Sequence, residues 1–90
     1  MDIGYVWDER QYRKAQEEHN VAFAEVVSAF DDVRGFDTHQ QTERWVWIGK
    51  TSGGRVLAIV WMDEDAPLYR IITAFDAEGR YLDEYHSRAR

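Results

Sequence analysis

The chain has 90 residues, 44% of them hydrophobic and 31% charged, a balance that predicts one globular domain over residues 1–90 and excludes a disordered chain. It contains no cysteine and no apolar run as long as a membrane span. Disulfide scaffolds, thiolate sites and membrane helices are therefore excluded, and a cytoplasmic location is expected. The net charge of −6 argues against a broad basic nucleic-acid surface, but it is compatible with a few arginines in one cleft or with a basic partner protein.

The first third of the chain predicts a short strand and two consecutive helices. Residues 3–7 alternate weakly, as in a strand. Asp8 is a typical N-cap, and Trp7 and Tyr12 on either side of it predict a hydrophobic staple. Asn20 suits the left-handed conformation that ends a helix. The second helix presents an apolar stripe at spacings of three and four residues, formed by Phe23, Val26, Val27 and Phe30.

The hydrophobic period then changes to two, which predicts a sheet. Residues 43–50 and 55–62 are apolar on both faces, so we expect two central strands joined by a hairpin loop at 51–54. An acidic turn at 63–67 leads to a third strand at 68–75, and residues 34–38 are a candidate edge strand. Asp76 is a plausible cap for a last helix reaching about Ser87. The fold class predicted is α+β, with N-terminal helices, a three- to four-stranded antiparallel sheet and a C-terminal helix.

Short motifs along nearly the whole chain carry a family likeness. They are Trp7-Asp8-Glu9, His19-Asn20-Val21, Phe23 with Glu25, Asp32, Glu43-Arg44, Ile48-Gly49, Gly54-Arg55-Val56-Leu57, Arg70-Ile71-Ile72-Thr73-Ala74 and Tyr85. In this order the set resembles BrnT-type toxins, the ribonuclease components of bacterial type II toxin–antitoxin pairs. The resemblance implies a RelE-like fold and metal-independent RNA cleavage. It also implies a BrnA-like antitoxin with a ribbon-helix-helix domain, through which alone the pair contacts DNA.

The chain departs from the family pattern at four points. Two of them, Phe75 and the acidic last helix, favour an alternative function, whereas the retained Glu43-Arg44 and Arg70 favour the ribonuclease. Glu18 stands where the family usually has Lys, Phe75 stands where it has Arg, and the last helix is acidic rather than Arg-rich. Ala22 replaces a Ser helix cap, which costs about 1 kcal/mol. Three of these changes remove positive charge. The alternative is a catalytically weakened toxin fold that acts as a protein-interaction module, or as a co-repressor with a DNA-binding partner.

Metal-free RNA cleavage needs a base for the 2′-hydroxyl proton, donors for the charge that builds on the phosphate, and an acid for the leaving oxygen. Arg44 and Arg70 are the candidate charge stabilisers, because a guanidinium between apolar strand residues implies a partner or a ligand. A structural ion pair, for instance with Glu43 or Asp8, explains them equally well. His19 is the candidate acid or base, since histidine titrates near neutrality, although a helix-end histidine also interacts with the helix dipole.

Lys50, Arg55 and Arg80 are the candidate RNA-binding residues, with a solvated turn as the alternative reading of the first two. Three histidines without helpful spacing predict no metal site, and no cofactor is expected. The tryptophans at 45, 47 and 61 have strand spacing typical of core residues. Base stacking, or an exposed patch beside Phe75 that fits an antitoxin, is the alternative for them.

Overall fold

The computed structural model describes residues 4–41, 43–65 and 68–88. In chain order its elements are β1 (Gly4–Trp7), α1 (Glu9–His19), α2 (Phe23–Phe30), β2 (Phe36–Gln41), β3 (Arg44–Lys50), β4 (Val56–Asp65), β5 (Leu68–Asp76) and α3 (Arg80–Arg88). The strands form one sheet in the order β1-β5-β4-β3-β2. The α+β class is confirmed.

The sheet is larger than predicted and mixed. β2 to β5 form the antiparallel meander, and β1 adds a fifth strand, parallel to β5, with Tyr5 opposite Tyr69. Parallel pairing requires a long crossover, and here α1, α2 and the meander supply it. The alternation of residues 3–7 indicates a strand, but alternation carries no information about which strand it will pair with. Ile3 itself lies outside the described residues.

Helices cover both faces of the sheet, as expected for apolar central strands. The first core cluster, under α1 and α2, contains Val21, Val26, Ala29, Leu57, Ile59, Ile71 and Ala74. The second, under α3, contains Phe36, Val46, Ile48, Ala58, Val60, Ala77 and Tyr85. Gly49 allows α2 to lie close to β3, because a Cβ at this position would overlap the carbonyl oxygen of Ala29.

The predicted helix boundaries are confirmed in α1. The Asp8 carboxylate accepts hydrogen bonds from the amides of Arg10 and Gln11 at 3.0 and 3.4 Å. The rings of Trp7 and Tyr12 pack with centroids 4.9 Å apart, which forms the staple. Asn20 has φ of 52°, the left-handed conformation that ends the helix. At the start of α2, Ala22 offers no side-chain cap, but its own amide donates to the Glu25 carboxylate at 3.1 Å.

Three elements differ from the prediction by more than one residue. The edge strand expected at 34–38 is β2, which runs from Phe36 to Gln41. α3 begins at Arg80, and Asp76 does not cap it, because its carboxylate at the end of β5 is bound to Arg55 instead. β4 continues through Asp65, so it includes part of the predicted acidic turn, while Ala66 and Pro67 lie outside the described residues. Of the described helices, none has the length and apolarity needed to cross a membrane.

Candidate functional site

The sequence-predicted site residues separate into two groups at opposite ends of the sheet. Arg44 and Arg70 flank Met62 at one end, which we call the arginine end. Lys50, Arg55 and Asp76 lie at the other, which we call the hairpin end because the β3–β4 loop is there. His19 and Arg80 belong to the hairpin end as well.

The pairing of β3, β4 and β5 sets the geometry of the arginine end. Trp45 pairs with Trp61, so Arg44 comes level with Met62, and Met62 itself pairs with Arg70. Residues opposite one another in antiparallel strands share a face. Arg44 and Arg70 therefore lie on the same face, about 10 Å apart across two strand spacings.

The arginine end lies on the face that carries α3, one row beyond the paired residues Val46 and Val60. Both valines are buried in the core under that helix. Arg44 is exposed, whereas Met62 and Arg70 are half-buried, and Arg70 has an interaction partner within the protein. An exposed cation and a half-buried one beside an apolar side chain form a surface to which a phosphodiester can bind.

His19 does not join the two arginines. Its ring contacts Phe75, with centroids 5.9 Å apart, and Phe75 follows Arg70 by five strand residues. This separation amounts to about 16 Å along β5. Lys50 follows Arg44 by six residues on β3, about 20 Å away. The six predicted site residues therefore cannot all contact one phosphate, because the sheet separates them into two groups.

Arg55 is the centre of the hairpin end. Its Nε and one terminal nitrogen donate to the two oxygens of Asp76, at 2.5 and 3.1 Å. The remaining donors bind the carbonyl oxygens of His19 and Asn20, both at 2.7 Å, and the Glu25 carboxylate at 3.3 Å. All five N–H groups of the guanidinium are thereby used. The predicted RNA-binding role of Arg55 is difficult to reconcile with this geometry, since a phosphate would have to displace an existing partner.

The charges at the hairpin end stabilise one another. The hydrogen bond from Arg55, although opposed by partial burial, lowers the pKa of Asp76. The same bond to Asp76 raises the pKa of Arg55. Since these groups join the corner between α1 and α2 to the end of β5, their contacts are part of the fold. The sequence does not indicate these contacts, because the two carboxylates and two carbonyl oxygens that bind Arg55 belong to residues distant in the chain.

Asp32 is a second polar junction at this end. Its carboxylate accepts from the Tyr85 hydroxyl at 2.6 Å and from the amides of Lys50 and Arg34 at 2.8 and 3.0 Å. Burial would raise the pKa of Asp32, but these hydrogen bonds outweigh it and lower that pKa. Burial and the bond to Asp32 together raise the pKa of Tyr85 to about 12. Asp32 thus joins α2, β3 and α3.

His19 lies in an open groove with a volume of about 720 Å³. Its charged lining is mostly acidic and consists of Glu17, Glu18, Asp76 and Glu78, together with Arg55. Because the charge of Arg55 is already neutralised, this groove repels a phosphate. Lys50 and Arg80 are exposed, and the Lys50 ammonium lies 5.9 Å from the centre of the Tyr85 ring.

The three strand tryptophans lie on the α2 side of the sheet, on the face opposite Phe75. Trp47 and Trp61 pack against Phe30 with ring centroids 5.7 and 6.5 Å away, as core residues do. Trp45 stacks on Trp61 at 6.5 Å and is 39% exposed. Within residues 4–41, 43–65 and 68–88, no three His, Asp or Glu side chains form a group that could hold a metal ion.

Comparisons with a solved structure and with a family model identify the fold and the family of the chain. The fold matches the 1.1 Å crystal structure of the Brucella abortus ribonuclease toxin BrnT with a TM-score of 0.72, over 87% of this chain and all of that one, at 16% identity. The chain therefore has the α+β fold of that toxin. A family model described as the BrnT ribonuclease toxin of type II toxin–antitoxin systems matches residues 7–80, and the chain belongs to this family. Membership implies an antitoxin partner. No curated protein sequence matches the chain.

Proposed function

We propose that this chain is a toxin that cleaves RNA in the cytoplasm without a metal ion and binds the RNA phosphate between Arg44 and Arg70. The observation that carries the proposal is the register of the sheet, in which these two arginines share a face with only Met62 between them. Two arginines whose backbones are about 10 Å apart can hold adjacent phosphates, or both sides of one phosphate, through forked hydrogen bonds. The family membership supports the reaction class.

The proposed chemistry is attack by the 2′-hydroxyl oxygen on the adjacent phosphorus, with loss of the 5′-oxygen of the next nucleotide. The arginines stabilise the charge that develops on the phosphoryl oxygens and hold the backbone in line for attack. His19 contacts Phe75, about 16 Å along β5 from Arg70, and is therefore too far away to accept the 2′-hydroxyl proton of the same phosphodiester. We therefore assign that proton to solvent, and water likewise supplies the proton for the leaving 5′-oxygen, which predicts slow cleavage.

The first experiment compares cleavage of a labelled single-stranded RNA, in EDTA, by the wild type and by two double variants. Arg44→Ala/Arg70→Ala removes the arginine end, and Lys50→Ala/Arg80→Ala removes the same charge from the other end. We expect the first variant to lose at least about 100-fold in rate and the second to lose less than about threefold. An equal loss of rate in both variants would mean that the rate depends only on the net charge of the protein. No wild-type cleavage above that of the first variant would refute the proposal.

The pH dependence of the rate tests where the proton goes. With solvent as the acceptor, the rate should rise about tenfold per pH unit between pH 6 and 8. A plateau within this range that His19→Gln removes would instead indicate that His19 acts as the general base.

We propose further that the antitoxin partner carries a ribbon-helix-helix domain and that DNA is contacted only through it. An electrophoretic mobility shift of operator DNA by the pair, with no shift by this chain alone, is the expected result. A shift by this chain alone would contradict the second half of the proposal.

A second candidate is a toxin fold that has lost efficient catalysis and acts as an interaction module. The acidic groove around His19, with Phe75 against the histidine ring, supports it. Phe75→Arg adds a cation to this groove and separates the candidates. RNA cleavage that appears only in this variant would favour the interaction module, whereas cleavage already present in the wild type and unchanged in the variant would favour the ribonuclease.

A further inference from the structure

A cavity lined by five aromatic rings opens on the α2 side of the sheet, on the opposite face from the arginine end. Its volume is about 160 Å³, which is the space of roughly five water molecules at about 30 Å³ each. We call it the aromatic cage, and its lining residues are Tyr5, Phe30, Asp37, Trp47, Trp61 and Tyr69. The cavity is therefore large enough for the end of one side chain.

Packing holds the rings of the cage in place from several elements. Phe30 of α2 stacks on Tyr5 of β1 at 4.9 Å and on Trp47 of β3 at 5.7 Å. On the other side Trp61 meets Tyr69 edge-on at 5.0 Å. Five secondary-structure elements thus supply one ring each, namely α2 and the four strands β1, β3, β4 and β5. Such a site is preorganised, so little ordering is needed when a ligand enters.

The polar groups of the cage leave acceptor capacity for a ligand. The indole N–H of Trp47 donates to the Ala29 carbonyl at 2.8 Å, and that of Trp61 donates to Oδ1 of Asp37 at 2.8 Å. A carboxylate has about four acceptor positions, and Trp61 uses one of those on Asp37. The cage therefore combines aromatic rings with a fixed carboxylate.

The charges around the cage are negative. Besides Asp37, the exposed Asp63 pairs with Tyr69 across β4 and β5 and so lies on the same face as this ring. Asp31 is near enough to Tyr5 that its charge, added to the effect of burial, raises the pKa of the tyrosine. Three carboxylates beside one cavity repel a nucleic-acid phosphate and attract a cation.

We propose that the aromatic cage binds the charged end of an arginine or lysine side chain on a basic segment of a partner protein. Cations bind to the faces of Trp, Tyr and Phe rings, most strongly where water is displaced, and Asp37 adds a charge-assisted hydrogen bond. The net charge of −6 favours approach of a basic segment over the whole molecule. The proposal goes beyond the ribonuclease function and does not require the arginine end.

The test is a titration of the full chain followed by the NMR signals of its tryptophan indole N–H groups. The probes are N-acetylarginine methylamide, N-acetyllysine methylamide with a free side-chain amine, and N-acetylcitrulline methylamide, which has nearly the shape of arginine but no charge. We expect both cationic probes, and not the citrulline probe, to shift the signals of Trp47 and Trp61. Trp7, which packs against Tyr12 and Phe23 instead, serves as the internal reference.

Two variants with the same change in charge separate the cage from the general acidity of the chain. Asp37→Asn keeps an oxygen that can accept from Trp61, so the cage is retained, but the affinity for arginine should fall about tenfold. Asp83→Asn removes an exposed carboxylate from α3, on the other face of the sheet, and should leave the affinity unchanged within about twofold.

Three results would overturn the proposal. The first is an absence of shifts with either cationic probe, and the second is an equal loss of affinity in both variants. The third is tighter binding of guanosine monophosphate or of spermidine than of the arginine probe, which would make the cage a nucleobase site or a site for free polyamines. RNA cleavage measured on the same Asp37→Asn protein should equal that of the wild type, so failure of this proposal is distinguishable from failure of the ribonuclease assignment.

Discussion

The two ends of the sheet use arginine in opposite ways. At the hairpin end, Arg55 donates to two carboxylates and two carbonyl oxygens, so its charge is neutralised within the protein. At the arginine end, Arg44 is exposed and lies on the same face as Arg70, with Met62 between them. A satisfied guanidinium stabilises the fold, and an exposed one can bind a ligand. Residue type alone does not distinguish these roles, because the distinction depends on distant partners.

The motif residues that carry the family likeness also fall into two groups, one at each end of the sheet. Asp32, Arg55 and Tyr85 form the polar junctions that join α1, α2, α3 and the β3–β4 hairpin. Arg44 and Arg70 belong to motifs at the other end and take no part in these junctions. We infer that the first group specifies the fold and the second group the reaction.

The largest expected effect tests whether Arg55 is structural. Arg55→Ala leaves Asp76 and Glu25 without their cation and two carbonyl oxygens without a donor, so the free energy of unfolding should fall by about 3 kcal/mol. Urea denaturation followed by tryptophan fluorescence measures it. Arg80→Ala, which removes an exposed charge at the same end, is the control and should change it by less than about 0.5 kcal/mol. Unchanged stability with weakened RNA binding in Arg55→Ala would restore the RNA-binding prediction.

The next effect concerns the Tyr85 hydroxyl. Tyr85→Phe removes its bond to Asp32, and we expect a loss of about 1 to 2 kcal/mol at pH 7. The pKa of Tyr85 is raised to about 12 in the folded protein and is about 10 in an unfolded chain. Its contribution is therefore complete below about pH 10 and is lost as the pH rises toward 12. Tyr81→Phe, on the same helix, is the control, and an alkaline profile identical in both variants would contradict this role of Tyr85.

Much of the fold was predictable because local signals agreed with the final structure. The cap at Asp8, the left-handed Asn20 and the apolar stripe of α2 each act within a few residues, and all are confirmed. The pairing of β1 with β5 was not predictable, since it joins residues more than 60 positions apart. Hydrophobic alternation indicates that a segment is a strand, but it does not determine which strand pairs with it.

The site was predictable only in its residue types. The sequence indicates which arginines and histidines could act on a phosphate, but their grouping follows from strand register. The pairing of Trp45 with Trp61 places Arg44 level with Met62. His19 contacts Phe75, which lies five residues beyond Arg70 on β5, so the histidine is distant from that arginine. Asp76 illustrates the same limit, since it is a good helix cap by residue type, and the ion pair with Arg55 uses its carboxylate instead.

A smaller effect should appear in acid at the hairpin end. Because the folded-state pKa of Asp76 is lowered by Arg55, its contribution to stability is present above the unfolded pKa of about 3.9 and is lost as the pH falls through the folded pKa. Asp76→Asn should be less stable at pH 7 by about 1 kcal/mol, a value reduced by solvent screening because the side chain is 53% exposed. Thermal unfolding between pH 2 and 7 should show less acid destabilisation in Asp76→Asn than in the wild type. Parallel curves would mean that other carboxylates determine the acid dependence.

The smallest effect on stability is expected for Arg44→Ala, which should nevertheless change RNA binding clearly. Arg44→Ala should change the free energy of unfolding by less than about 0.5 kcal/mol, because Arg44 is exposed. If Arg44 contacts a phosphate, the slope of log K against log salt for RNA binding should decrease by about 0.7 in magnitude, as expected for one contact to a single strand. Lys50→Ala removes the same charge about 20 Å away on β3 and should leave the slope unchanged. Fluorescence anisotropy of a labelled RNA between 50 and 200 mM salt measures both variants, and a larger decrease for Lys50→Ala would move the RNA site to the hairpin end.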